Sequence, residues 1–165
     1  MTKNLKYNLA TTNDLIDIFN LSNDPIVRSN SFNSAPISLE NHKNWFYKKI
    51  NDPHCTFYVI RDTQNQLVGQ IRLDKIENTI NEFLIGISIA KAYRGQKLGD
   101  KLLKTGSVKF LQQNKNSKII AYIKQENIPS LKIFLKAGYM ITEDPSKDNV
   151  DAYKLEYKET PNNEN

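Results

Sequence analysis

The sequence predicts an α/β (α+β) fold, with a mixed, mostly antiparallel sheet of six to seven strands flanked by about four helices. Three observations predict it. The β-branched and aromatic runs "CTFYVIRD", "LVGQIRLDKI" and "EFLIGISIA" are parted only by the short polar turns "TQNQ" and "ENTIN", and connections that short imply an antiparallel meander. The last run leads through a helical stretch to another strand, "KIIAYIKQ", and such a crossover should be parallel and right-handed. Amphipathic segments on either side supply the helices that cover a sheet.

The elements follow in order. "LKYNLA" reads as a first strand. "TTNDLIDIFNLSND" reads as a helix, with Thr12 as cap and Leu15, Ile18 and Phe19 at helical spacing. Asp24-Pro25 should stop it. "SLENHKNWFYKKI" is a second helix, capped by Ser38, with Glu40 in its first turn and Leu39, His42, Trp45, Phe46 and Lys49 in helical register. The three-strand meander comes next. The helix after Gly99 carries Leu102, Leu103, Phe110 and Leu111, and "IPSLKIFLKA" is a short helix ended by Gly138. "YMITE" and "DAYKLEYKE" close the sheet. Residues 1–158 are read as a single domain and 159–165 as a flexible polar tail.

Composition narrows the function. The 165 residues suit one domain with a real core, and 39% hydrophobic with 25% charged residues is a globular composition. No apolar run approaches a membrane span, and the first ten residues carry no apolar block. The lone cysteine, Cys55, excludes an internal disulfide, so a reducing cytoplasm is expected; it reads as a small core or edge residue. A net charge of +5, from 23 cations among 18 carboxylates, suits an anionic small molecule. No basic block with interleaved aromatics points to nucleic acid. His42 and His54 stand without a cysteine pair, so no metal site is expected.

The stretch "ISIAKAYRGQKLGDKLL" puts a glycine-spaced, cationic loop between a strand and a helix. A helix N-terminus presents unpaired N–H groups and about half a positive charge. Gly95 and Gly99 let the backbone come close to an anion, and Arg94 and Lys97 add charge. The Rossmann pattern lacks its third glycine here. The P-loop pattern fails because Asp100 follows Gly99.

"YRGQKLGDKLL" resembles the Gln/Arg-x-x-Gly-x-Gly/Ala signature of the GNAT superfamily of N-acetyltransferases. Arg94 fills the first position, Gly95 and Gln96 the free ones, and Gly99 the last after Leu98; Lys97 departs from the pattern, standing where it has its first glycine. "NIPSLKIFLKAGY" resembles the second signature of that family, and the resemblance covers roughly residues 5–157. It implies the GNAT fold, acetyl-CoA as cofactor, and acetyl transfer to a primary amine. Ile87, Ser88 and Ile89 should then meet the thioester and pantetheine, and the backbone of Arg94, Gly95, Gln96, Lys97, Leu98 and Gly99 the pyrophosphate, with Asp100 in the first helical turn. Asn127, Ser130 and Phe134 share one helical face that should border the pantetheine and sulfur, whereas Ile128, Leu131 and Leu135 should face the core.

Phe134 stands where many relatives carry a tyrosine acid, so Ser130, a neighbouring tyrosine or water must protonate the leaving thiolate. Glu82 is the first candidate for general base; its parity turns it away from Ile85, Ile87 and Ile89. Asp74, on one face with Arg72 and Gln70, is the second. The block "NDPIVRSNSF" to "HKNWF", followed by "GQIRLD", resembles more weakly the acetyltransferases of pseudaminic- or legionaminic-acid pathways. That implies a nucleotide-linked 4-amino-deoxy sugar as acceptor, contacted by Arg28, Asn30, Ser31, Asn33, His42, Trp45 and Arg72. Two alternatives stay open, a protein N-terminal or lysine N-acetyltransferase and a non-catalytic CoA-binding module. A homodimer is compatible with the sequence but not implied by it.

Overall fold

The computed structural model describes residues 4–143, 146–147 and 150–158; the tail expected at 159–165 lies outside them. The chain runs β1 (Lys6–Leu9), α1 (Leu15–Ser22), α2 (Pro25–Asn30), α3 (Leu39–Ile50), β2 (Cys55–Arg61), β3 (Leu67–Lys75), β4 (Glu82–Ile89), α4 (Gly99–Gln113), β5 (Lys118–Lys124), α5 (Ile128–Ala137), β6 (Tyr139–Glu143), β7 (Ser146–Lys147) and β8 (Val150–Tyr157). The strand order is β1-β2-β3-β4-β5-β8-β6, with the two-residue β7 hanging on β8. Among the described residues only β4 and β5 pair in parallel, across the α4 crossover; the other neighbours are antiparallel.

Two local readings change. Asp24-Pro25 ends one helix and begins another: Asp24 Oδ1 accepts from Ile26 N at 3.0 Å and Val27 N at 3.3 Å, and Pro25 takes the first turn of α2, where its missing N–H costs nothing. The start of α1 is a 3-10 turn, Thr12–Asp14, whose cap is Thr11 and not Thr12; Asp14 Oδ2 accepts from Thr11 N at 2.8 Å. The other caps stand as read. Ser38 Oγ accepts from Asn41 N at 3.2 Å, and Gly138 adopts φ +104°, a left-handed conformation that a glycine reaches without strain.

Strand alternation splits the core in two. In β2, Tyr58 and Ile60 join the cluster under α4 and α5, built on Leu102, Leu103, Phe110 and Phe134. Phe57 and Val59 point to the other face, against Ile18 of α1 and Phe46 of α3. Each fully buried Leu, Ile or Phe contributes roughly 1.5–3 kcal/mol, so both faces are strongly specified and the register cannot slip by one residue.

The feature that positions the site is a fork. The β4–β5 ladder holds only at Glu82–Lys118, Phe83–Ile119 and Leu84–Ile120. Beyond Leu84, β4 stays paired with β3 as far as Ile89, while β5 follows β8 as far as Lys124. The two strands part at the centre of the sheet.

Candidate active site

A cavity of about 1030 Å³ opens at the fork. Its walls come from the free halves of β4 and β5, the start of α4, one face of α5, and the α1 to α3 region on the opposite side.

Backbone pairing decides what β4 offers. Ala90 N donates to Val68 O at 2.9 Å and Ile76 N donates to Glu82 O at 2.8 Å. With the unbroken register from Gly69–Ile89 to Lys75–Phe83, antiparallel alternation commits the peptide groups of Leu84, Gly86 and Ser88 to β3. Those of Ile87 and Ile89 therefore turn toward the gap that β5 has left. The Ile89 carbonyl is already taken, accepting from Arg94 Nε at 2.9 Å. Ser88 presents only its side chain to the cavity, on the face opposite the α4 core.

The loop after β4 has the expected character by a different route. Gly95 has φ +72° and Lys97 φ +55°. Lys97 thus holds the left-handed backbone that a glycine would supply, and the departure from the signature leaves the nest intact. No side chain caps α4, and its first intrahelical acceptor bond runs from Leu102 N to Leu98 O at 2.9 Å, so the earlier amides stay available. Gly99 serves packing: a Cβ there would lie 2.7 Å from Ile133 Cδ1 of α5. Arg94 points away from the nest. Besides Ile89 O it pairs with Asp24 at the head of α2, Nη2 to Oδ1 3.0 Å. An unpaired strand edge, a two-residue nest and an uncapped helix start together fit a diphosphate carrier with an extended arm.

On α5, Asn127, Ser130 and Phe134 all line the cavity, and Asn127 Oδ1 caps the helix by accepting from Ser130 N at 3.3 Å. Of the opposite stripe Leu131 packs against the core, but Ile128 is 48% and Leu135 45% exposed. The buried stripe runs through Leu131, Phe134 and Ala137, so cavity face and core face are adjacent and merge at Phe134. Phe134 packs edge-on against Tyr139 at 4.9 Å, whose hydroxyl is engaged by Ser107 Oγ at 2.7 Å. Burial raises the Tyr139 hydroxyl far above its ordinary value. Tyr139 is therefore no substitute acid, and Tyr93, which does line the cavity, donates its hydroxyl to Asp62 at 2.7 Å.

The proposed bases are not brought to the cavity. Glu82 sits at the closed end of the fork beside Lys118 and is absent from the lining. Asp74 accepts from Lys49 Nζ at 2.6 Å and Arg72 Nε at 2.7 Å. Burial works to raise its carboxyl, but Arg72 and Lys49 outweigh this and hold it below the usual range. A carboxylate so paired is a poor proton acceptor and a good brace between α3 and the sheet. Gln96 also lies outside the lining, its amide donating to Ala92 O at 2.7 Å. Cys55, half-buried, has its thiol pushed up to about 12 by burial and by Asp74, which fits a packing residue.

The acceptor-side residues mostly converge. Arg28, Asn30, Ser31, His42, Trp45 and Arg72 line the cavity; Asn33 does not. Arg28 is a stitch as well, donating to Ser22 O at 2.6 Å, to Asn33 O and Ala35 O at 3.1 and 3.2 Å, and to Ser31 Oγ at 3.2 Å. The Arg72 guanidinium lies over the Trp45 ring at 4.8 Å. His42 is buried, its Nε2 donating to Leu15 O at 3.1 Å, and burial holds the imidazole below its ordinary value. Sequence reasoning missed Gln70, Tyr122 and Lys124, which also line this half. Gln70 could have been found from strand parity, two positions before Arg72 and opposite Ser88. Tyr122 and Lys124 required knowing that β5 leaves β4.

A GNAT acetyltransferase domain model matches residues 5–140. No curated protein matches the sequence. Among solved structures, the chain superposes on a spermidine N-acetyltransferase from Vibrio cholerae in complex with CoA and spermine, with TM-score 0.82, 20% identity, and coverage of 92% of this chain and 94% of that one. A chimera of the Vibrio cholerae enzyme SpeG with hSSAT gives TM-score 0.80 at 18% identity, covering 93% and 94%. At such identities the superpositions carry the fold alone. The domain match spans the fork, the Arg94–Gly99 loop and α5 together, and so the chain belongs to the GNAT acetyltransferase family and is an N-acetyltransferase that uses acetyl-CoA.

Proposed function

We propose that the chain acetylates a primary amine on a neutral or anionic small molecule, a nucleotide-linked 4-amino-deoxy sugar of bacterial surface-glycan synthesis, and not a polyamine. One observation carries this. The acceptor half of the cavity is lined by Arg28, Arg72 and Lys124, and among the described residues the one carboxylate in the lining is Asp100, in the first turn of α4 at the other end. A polyamine brings several positive charges, and burying them beside Arg28 and Lys124, which pair with no carboxylate among the described residues, is unfavourable even with Arg72 neutralised by Asp74. A sugar carrying phosphates meets the same surface with complementary charge. Trp45 offers a face for a ring to stack on.

The remaining roles follow from placement. When bound, acetyl-CoA supplies a thioester-activated acetyl group. The Ile87 N–H would donate to the oxyanion that develops as the amine attacks. The Arg94–Gly99 backbone would hold the pyrophosphate, with Lys97 adding charge. Ser130, which lines the cavity from α5, carries the hydroxyl that would protonate the departing thiolate. The amine arrives neutral and gives up its proton to cavity water, since Glu82 and Asp74 lie outside the lining.

Thiol release from acetyl-CoA tests the reading, with a UDP-linked 4-amino-4,6-dideoxy sugar, spermidine, and a peptide with a free N-terminal amine as acceptors. Turnover with the sugar nucleotide, at kcat/KM about a hundredfold or more above spermidine, is expected. Preference for spermidine would refute the charge argument, and preference for the peptide would assign a protein substrate.

A further inference from the structure

Buried side-chain polar atoms are nearly always hydrogen-bonded, and an orphan in a native fold marks a partner outside the chain or a cost left standing. Among the described residues the orphans are His42 Nδ1, Tyr58 Oη, Gln70 Oε1 and Arg94 Nη1, whereas Arg94 Nη2 is held by Asp24 Oδ1 at 3.0 Å. All but Tyr58 belong to residues lining the one cavity. Their chemistry sorts by end. The Arg94 guanidinium is turned from the nest toward Asp24 and offers only donors. Gln70 Oε1 and His42 Nδ1 are acceptors on residues that line the amine end.

Both acceptors belong to built positions. Gln70 is 8% and His42 1% exposed. The Leu15 carbonyl can only accept, so His42 Nε2 must carry the hydrogen toward it, and Nδ1 is left as a bare lone pair. Gln70 stands opposite Ser88 on β4, next to the Ile87 and Ile89 peptides that face the gap. Its same-face neighbour Arg72 covers Trp45, whose ring centroid is 5.6 Å from that of His42. One continuous wall therefore runs from the fork to His42.

Resting on the acetyltransfer reading, we propose that Gln70 Oε1 accepts an N–H of the neutral attacking amine while His42 Nδ1 accepts a second N–H or O–H donor of the same molecule. A neutral amine can give an N–H to Gln70 and still aim its lone pair at the fork. An ammonium, having no lone pair, cannot. The pair thus favours an amine that carries a second donor within reach of His42, in a wall that, among the described residues, offers no carboxylate to a cation.

The test is Gln70→Met, which keeps the length and deletes the acceptor. With the UDP-linked 4-amino-4,6-dideoxy sugar, kcat/KM should fall about tenfold or more, while the KM for acetyl-CoA should stay within about twofold. Thermal stability without substrates should rise by about 2 °C or more, because an unsatisfied buried oxygen is removed. A structural role would instead lower Tm and weaken both substrates. Unchanged kcat/KM, a lowered Tm or failure to fold overturns the inference while leaving acetyltransfer intact. Wild-type protein that releases no thiol with any acceptor overturns the functional reading and the inference together.

Discussion

Asp74 accepts from one lysine of α3 and one arginine of its own strand, and all three side chains are less than a third exposed. Removing the charge in Asp74→Asn should cost about 1 kcal/mol at pH 7, a value discounted for partial solvent screening. Because the folded carboxyl lies below its ordinary value, its contribution is complete above the unfolded value of about 4 and fades as pH falls through the folded one. The gap between wild type and Asp74→Asn in urea denaturation should therefore narrow below about pH 4. A gap equally wide at pH 3 and pH 7 would mean that the pairing contributes nothing. Residue type alone, a carboxylate two positions from an arginine, made Asp74 look like a candidate base. Lys49, 25 positions away in sequence, makes it a brace. Gln70 shows the reverse case: an ordinary amide in a strand gains interest only when its buried oxygen proves to lack a partner.

At the scale of elements, the Arg94–Gly99 loop joins β4 to α4 through two positive-φ residues. Left-handed backbone costs a residue with a side chain about 1–2 kcal/mol, and the cost is higher for a β-branched side chain. Lys97→Gly should thus leave stability equal or higher by up to about 1 kcal/mol, strain relief being offset by the unfolded-state freedom of glycine. Lys97→Val should lose about 1–2 kcal/mol. CoA affinity of Lys97→Gly should fall several-fold and depend less on salt, because a cation leaves the phosphate site. Melting curves of the three proteins, with CoA titrations at low and high salt, check this; identical melts would mean that the position does not need the left-handed backbone. Most strand and helix runs, the Ser38 and Gly138 caps and the glycine-spaced loop were legible, since each depends on residues within a few positions of one another; α2 was not, because Asp24-Pro25 reads equally as a stop and as a cap with its first turn. The direction of Arg94 was not, because its partner Asp24 lies on another helix.

For the whole molecule, the fork makes the site a product of the sheet's assembly. Acetyl-CoA should bind the folded chain only. At a concentration about a hundredfold above Kd it should stabilise the fold by about 2.7 kcal/mol, raising Tm by about 5–10 °C. A thermal shift titration checks this, and no shift would count against cofactor binding at the fork. No helix among the described residues is long and apolar enough to cross a membrane. What the sequence determined unaided was the succession of elements apart from α2, the family signature at Arg94–Gly99 and the cofactor it implies, because periodicity, capping and turn chemistry act over short stretches of chain. The tertiary structure alone decided that β8 inserts between β5 and β6, that β5 leaves β4 after Leu84, and which carboxylates are kept from the cavity. Those outcomes depend on pairing between segments far apart in the chain, where the burial of two opposite sheet faces, and no local preference, selects the arrangement.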